Sequence, residues 1–241
     1  MDWLIQSPVA HRGLHKSFSI PENSYKAFKN AISKNYAIEL DVRITKDKQV
    51  VVFHDKNLLR VCGVKKKIVN QDYQNLKNYF LYNSKQTIPL FKDILTLVDG
   101  KVPLFIEIKN YGKVGEFEEL VYNELKDYEG KYAICSFNVE VVKWFYKNHP
   151  QVVRGLIYGD LHKFGIKSYK SVFIYRLITS NPDFVSLDYK LLGTLLPKIT
   201  RLFGKSLVCW TVNSKKKLLK AQKIVDNVIF ENVKPIKKDR T

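Results

Sequence analysis

Residues 37–55, "AIELDVRITKDKQVVVFHD", decide the fold. From Ala37 to Val42 apolar residues alternate with two carboxylates, Glu39 and Asp41. Side chains two apart on a strand share a face, so Ile38, Leu40 and Val42 turn one way and the two acids the other. A second apolar run, Val50 to Phe53, ends in His54 and Asp55. A parallel crossover needs about a dozen residues or more, and the chain between Arg43 and Val50 is too short for one. The second run therefore returns antiparallel, as a hairpin around "KDKQ". If Thr45 faces Val50 and Arg43 faces Val52, then Asp41 faces His54, and the histidine arrives level with the acids at the carboxyl end of the strand.

The same strand grammar recurs along the 241 residues. Short apolar runs lie at 8–13 (PVAHRG), 37–42, 103–109 (PLFIEIK), 132–137 (YAICSF), 152–158 (VVRGLIY), 183–189 (DFVSLDY), 206–212 (SLVCWTV) and 227–231 (NVIFE). Stretches with helical spacing separate them, among them Ser24–Ser33, Glu116–Lys126, Glu140–Lys147 and Lys215–Ile224. Eight strand–helix units in a chain of this length predict one α/β domain, a (β/α)8 TIM barrel, with its chemistry at the carboxyl ends of the strands.

Composition narrows the classes. The 45% apolar share is that of a globular protein, and no run reaches the roughly 20 apolar residues of a membrane span. The start "MDWLIQSPVAHRG" lacks the pattern of a secretion signal, so a cytoplasmic protein is expected. Cys62, Cys135 and Cys209 are far apart and form no C-x-x-C pair, which argues against a disulfide framework or a cysteine zinc site. The formal charge of +18 favours anionic partners: phosphate esters, nucleic acid or an acidic membrane surface. Scattered lysines on a solvated exterior account for it equally well, and no nucleic-acid-binding module is recognisable.

Strand parity then assembles a site. Glu107 and Lys109 share a face of the 103–109 strand, as Glu39 and Asp41 do on theirs. Three carboxylates converging in one barrel mouth repel each other unless positive charge sits among them. A hard divalent cation, Mg2+ or Ca2+, suits such oxygen ligands; the alternative is that the acids merely pair with Lys109, Arg12 and Arg43.

The segments "AHRGLHKSFSIPENSYKAFKNAI", "IELDVRITKDKQVVVFHDKNLLRVCG", "IPLFKDIL", "PLFIEIKN", "SFN" and "CWTVN", in that order and over nearly the whole chain, resemble the glycerophosphodiester phosphodiesterases, a family with a phospholipase C-like (β/α)8 barrel. The resemblance implies that His11 and His54 are the acid–base pair. It implies Glu39, Asp41 and Glu107 as ligands of a divalent metal, and Arg12 and Lys109 as phosphate contacts. It also implies one catalytic barrel domain over 1–241, with residues 56–101 as a small insertion over the mouth. The expected reaction is hydrolysis of glycerophosphodiesters to glycerol 3-phosphate and an alcohol. Attack comes from the neighbouring glycerol hydroxyl through a cyclic phosphate, or directly from water.

Other residues carry two readings. Phe137 and Trp210, at strand carboxyl ends, line the glycerol pocket or simply pack in the core. "PENS" (21–24) walls the site or caps the next helix. His15, His149 and His162 read as surface residues. The basic, aromatic stretch 162–178 suggests a lipid-directed phosphodiesterase at a membrane surface, although a helix packed on the barrel accounts for it better. "NVIFENVKP" departs from the family pattern, which has glycine before this strand and Thr-Asp after it. Oligomeric state leaves no sequence signal.

Overall fold

A computed structural model describes residues 2–16, 18–159 and 169–235. His162, the first part of the 162–178 stretch and the last residues of the basic tail lie outside them. Every run read as a strand forms one: β1 (Val9–Ala10), β2 (Ala37–Ile44), the hairpin strand β3 (Val50–Val52), β4 (Leu104–Ile108), β5 (Tyr132–Ser136), β6 (Arg154–Tyr158), β7 (Phe184–Asp188), β8 (Ser206–Val212) and β9 (Asn227–Phe230). Helices occupy Tyr25–Ser33, Glu116–Leu125, Val139–Asn148 and Lys215–Ala221, within two or three residues of the expected ends. Strand–helix alternation with parallel neighbours, broken only by antiparallel β3, is the (β/α)8 order.

The chain divides into two compact units, residues 10–132 and the remainder. In the first, β2 pairs in parallel with β4, and Asp41 lies opposite Glu107. The alternate positions Ile38, Leu40, Val42, Leu104, Ile106 and Ile108 are fully buried, which anchors both strands on their helix-facing side. In the second unit β5 to β9 pair in parallel order. There the short helix Trp3–Gln6 is tied to β9 by the Asn227 amide, which donates to the carbonyls of Leu4 and Ser7 at 2.7 and 2.9 Å. Helix Tyr169–Ser180 buries Phe173 and Leu177, with the Phe173 ring against Tyr158 of β6, while Tyr175 and Ile178 face outward. No helix among the described residues is long and apolar enough to cross a membrane.

The hairpin corrects the expected register by one residue. Arg43 pairs with Val51 and Ile44 with Val50, rather than Arg43 with Val52. The cause is the turn. Thr45 donates its amide to Gln49 O at 3.0 Å, leaving a three-residue loop closed by Lys48 in the left-handed region (φ 61°). This is the type I turn plus left-handed residue that matches strand twist in such loops. Past β3, Phe53 still donates to Asp41 O at 2.9 Å. Residues 58–88 then build a small core of their own, with Leu58, Ile68, Leu76 and Ile88 packed on Val51 and Phe53. Helix Phe91–Val98 leads back to β4.

Candidate active site

All the charged site residues read from the sequence lie in the 10–132 unit. Glu39, Asp41 and Glu107 are buried, at 3%, 1% and 7% exposure, and one oxygen from each lies within 4.8 Å of the others. Strand period and the parallel β2–β4 register are sufficient to bring them together.

The His-Arg-Gly segment explains itself in backbone terms. β1 stops at Ala10 because Arg12 (φ 53°) and Gly13 (φ 78°) turn left-handed. A Cβ at Gly13 would come within 2.9 Å of Ala27 Cβ and Phe28 Cδ1, so only glycine fits. The turn aims the Arg12 amide at Glu39 Oε2, to which it donates at 2.8 Å. The Arg12 guanidinium lies 3.4 Å from Asp41 and 2.7 Å from Glu22. Half-buried His11 opens this turn, one peptide away from the Glu39 contact. In the following "PENS", Ser24 caps the helix by accepting from Ala27 N, and Asn23, at φ 53°, donates to Asp41 Oδ2 at 2.8 Å. Both readings of that segment hold, each for a different residue.

Lys109 Nζ sits between Glu107 (2.5 Å) and Asp41 (3.1 Å). Arg43 pairs with no acid of this cluster; its guanidinium donates to the carbonyls of His54 and Lys109 and so fixes where the hairpin ends. His54 is half-buried, and its charge would act on both Asp41 and Glu107. Its Nδ1 lies 2.5 Å from Asp55 Oδ1.

A second layer was not anticipated. Arg60, on the short helix Leu59–Cys62, donates to both Asp55 oxygens (2.7 and 3.0 Å) and both Glu22 oxygens (2.7 and 2.8 Å). The Tyr82 hydroxyl donates to Glu22 at 3.0 Å. Burial works against charge on Glu22, yet Arg60 and Arg12 override it and lower its pKa to about 2. One arginine thereby braces the carboxylate beside Arg12 and the one that holds His54. "HDKNLLR" places Arg60 five residues after Asp55, but nothing local points it at Glu22, 38 positions earlier.

The electrostatics test the cation. Burial, then repulsion from Asp41 and Glu107, pushes the Glu39 carboxyl well above its ordinary value. Glu107 moves the same way, through burial, despite Lys109. Burial also disfavours the Asp41 anion, but Lys109, Arg12 and His54 outweigh it and depress its pKa. Asp41 Oδ1 is buried and accepts no hydrogen bond, having only the Lys109 charge 3.1 Å away. Two buried carboxyls held against ionisation, beside a third with an oxygen that accepts no hydrogen bond, fit a hard divalent cation.

A profile of the glycerophosphoryl diester phosphodiesterase family matches residues 11–234. The chain belongs to that family. YhdW of Bacillus subtilis is similar, 29% identical over 233 residues that cover 92% of this chain and 93% of that one. A crystal structure of a glycerophosphodiester phosphodiesterase from Thermotoga maritima is 26% identical, with a TM-score of 0.76 over 93% of this chain and 94% of the other. An Oleispira antarctica phosphodiesterase, solved with the product sn-glycerol-3-phosphate, matches the fold at a TM-score of 0.82 with 20% identity, covering 95% and 93% of the two chains. The barrel read from the sequence is thus the barrel of this family.

For this glycerophosphoryl diester phosphodiesterase family member, the apolar candidates Phe137 and Trp210 lie in the other unit. They are half-buried and meet edge to face at 5.3 Å, with the Trp210 indole donating to Ser186 O at 3.1 Å. His15 and His149 are partly buried rather than on the surface, and the His149 ring packs 5.2 Å from Trp144. After β9, Glu231 donates its amide to Val212 O and Asn232 adopts φ 54°, a shape asparagine reaches without glycine.

Proposed function

We propose that the protein hydrolyses glycerophosphodiesters to glycerol 3-phosphate and an alcohol, using a divalent cation held by Glu39, Asp41 and Glu107 and proton transfer by His11 and His54. The observation that carries this reading is the buried triad of carboxylates on the β2–β4 pair, with Arg12 and Lys109 against it and His54 near enough for its charge to act on it. A phosphodiester is an anion that resists attack, so a site must neutralise phosphoryl charge, remove a proton from the attacker and supply one to the leaving oxygen. A bound Mg2+ or Ca2+ would draw charge from a phosphoryl oxygen and acidify a hydroxyl beside it.

The chain's own groups do the rest. Arg12 and Lys109 offer positive charge next to the acids, each held in place by more than one carboxylate. Asp55, kept ionised by His54 and Arg60 against the cost of its burial, holds the Nδ1 side of His54. Nε2 is then the nitrogen that exchanges protons with substrate. As the bond from phosphorus to the attacking oxygen forms, one histidine takes that oxygen's proton; as the bond to the alcohol breaks, the other histidine protonates the departing oxygen. The adjacent glycerol hydroxyl and water both satisfy this balance as attacker. In the first case water then opens the cyclic phosphate, one histidine taking its proton and the other protonating the ring oxygen as that bond breaks, and a cyclic phosphate seen by phosphorus NMR marks this route.

Purified protein incubated with a panel of glycerophosphodiesters, with glycerol 3-phosphate read through a coupled dehydrogenase, tests the proposal. Release should require Mg2+ or Ca2+ and stop on chelation. Undiminished release in chelator removes the cation from the proposal, and no release from any substrate with either ion present overturns the activity itself.

A further inference from the structure

A cleft of about 560 Å³ opens beside the triad, entirely within residues 10–132. Its walls are the tip of the β2–β3 hairpin, the facing stretches at Lys56 and Lys67, the loop that follows β4 and the start of helix Glu116–Leu125. Seven cationic side chains line it against one carboxylate, Glu116, which is already paired with Lys48 at 2.6 Å. Among the described residues, none of Lys46, Lys56, Lys67 and Lys113 has a carboxylate partner. Lys109 belongs to this wall and pairs with Asp41 and Glu107, so the cleft adjoins the triad.

The cationic wall is held in shape. Asn110 is buried, donates to Glu118 at 2.7 Å and accepts from the Gly112 amide at 2.8 Å, which fixes the loop carrying Tyr111 and Lys113. Asn57 and Lys67 form an antiparallel bridge, and the Ile68 amide donates to Lys56 O at 3.1 Å, setting the two lysine stretches side by side. The exposed Tyr111 ring has Lys56 Nζ 4.2 Å and the Arg43 guanidinium 5.8 Å from its centroid. A lysine-rich exterior alone does not collect seven cations into one concavity beside a buried carboxylate triad.

Resting on the activity proposed above, the charge of this cleft selects the substrate. The glycerol half of a glycerophosphodiester is neutral, so only the alcohol half can respond to it. We infer that the cleft is a subsite for a phosphate carried on the leaving alcohol. Such a dianion matches a wall that carries several ammonium groups, whereas a cationic alcohol such as choline is repelled.

The test compares kcat/KM for three substrates: glycerophosphoglycerol bearing a phosphate on its leaving glycerol, unphosphorylated glycerophosphoglycerol, and glycerophosphocholine. We expect the phosphorylated substrate to lead by about tenfold or more at roughly 0.05 M salt, with the choline ester last, and the lead to collapse near 0.5 M salt. In Lys56→Gln/Lys67→Gln, and in Lys113→Gln as a second variant, the ratio of the first two substrates should fall toward one; thermal melts confirm folding. Equilibrium binding of the phosphorylated diester in chelator, with and without the substitutions, reads the subsite even if turnover is absent, so failure of the activity and failure of the subsite are distinguishable. Equal kcat/KM for all three substrates, or a ratio and binding unchanged in the variants, overturns the inference. Loss of sedimentation with phosphatidylglycerol vesicles in a variant that keeps the ratio also overturns it, and makes the cleft a membrane-contact surface.

Discussion

Glu39→Gln separates a metal ligand from a structural acid. In the metal-free protein, burial and the neighbouring carboxylates hold the Glu39 carboxyl well above its ordinary value. A carboxyl whose folded pKa is raised costs stability once the pH exceeds its unfolded value of about 4.3, and that cost reaches its full size above the folded value. A carboxyl that titrates one pH unit higher in the folded chain than in the unfolded one costs about 1.4 kcal/mol at full ionisation. Removing the charge should therefore stabilise the chelated protein near neutrality, each kcal/mol gained appearing as roughly 2–4 °C in melting temperature for a chain of this size. The amide oxygen can still accept from Arg12 N, so that contact survives. The gain should fade as the pH falls below about 4, where wild-type Glu39 becomes protonated in the folded and the unfolded chain alike. Added cation reverses the order: at 100 times its dissociation constant it stabilises the wild type by about 2.7 kcal/mol, and the variant, one ligand short, should lose most of that. Thermal melts with chelator and with excess Mg2+ or Ca2+, run at two pH values beside the activity assay, read all three effects. A variant that melts lower than wild type in chelator and still turns over substrate would show that Glu39 is an ion-pair partner, and the metal site would have to be redrawn.

Three further outcomes are expected. Leu40→Ala, one residue away but fully buried on the opposite face, should cost about 2–5 kcal/mol in denaturant unfolding while metal affinity of the folded fraction stays close to normal. His11→Ala and His54→Ala should each lower kcat by roughly 10² to 10⁴ with little change in melting temperature; near-normal turnover in either removes that residue from proton transfer. Arg60→Met should destabilise the protein by about 1–2 kcal/mol near neutrality, a modest figure because the arginine is 43% exposed and screened. Because Arg60, together with Arg12, depresses the pKa of Glu22 to about 2 and, together with His54, that of Asp55 further, that deficit should be complete above about pH 5 and shrink steadily as the pH falls toward 2. A deficit constant over that range would mean that Arg60 acts through packing alone.

The sequence by itself determined the strands and the convergence of the acids, because both rest on local rules. A period of two puts Glu39 and Asp41 on one face and Leu40 on the other, and a gap too short for a crossover makes Val50–Val52 return antiparallel. Glu107 follows because its strand shows the same parity. Tertiary structure decided the rest. The hairpin register slipped by one residue because Lys48 takes a left-handed conformation, a choice of turn that alternation of apolar residues does not encode. His54 still lies near enough for its charge to act on Asp41 and Glu107, with Arg43 gripping its carbonyl and Asp55 its ring. Asn23 on Asp41, and Arg60 bridging Glu22 to Asp55, join residues 18 and 38 positions apart. Such contacts leave no periodic trace: an isolated Asn, Glu or Arg reads the same in solvent as in a buried network, and only folding, which brings the hairpin, the His-Arg-Gly turn and the 58–88 core side by side, gives each its partner.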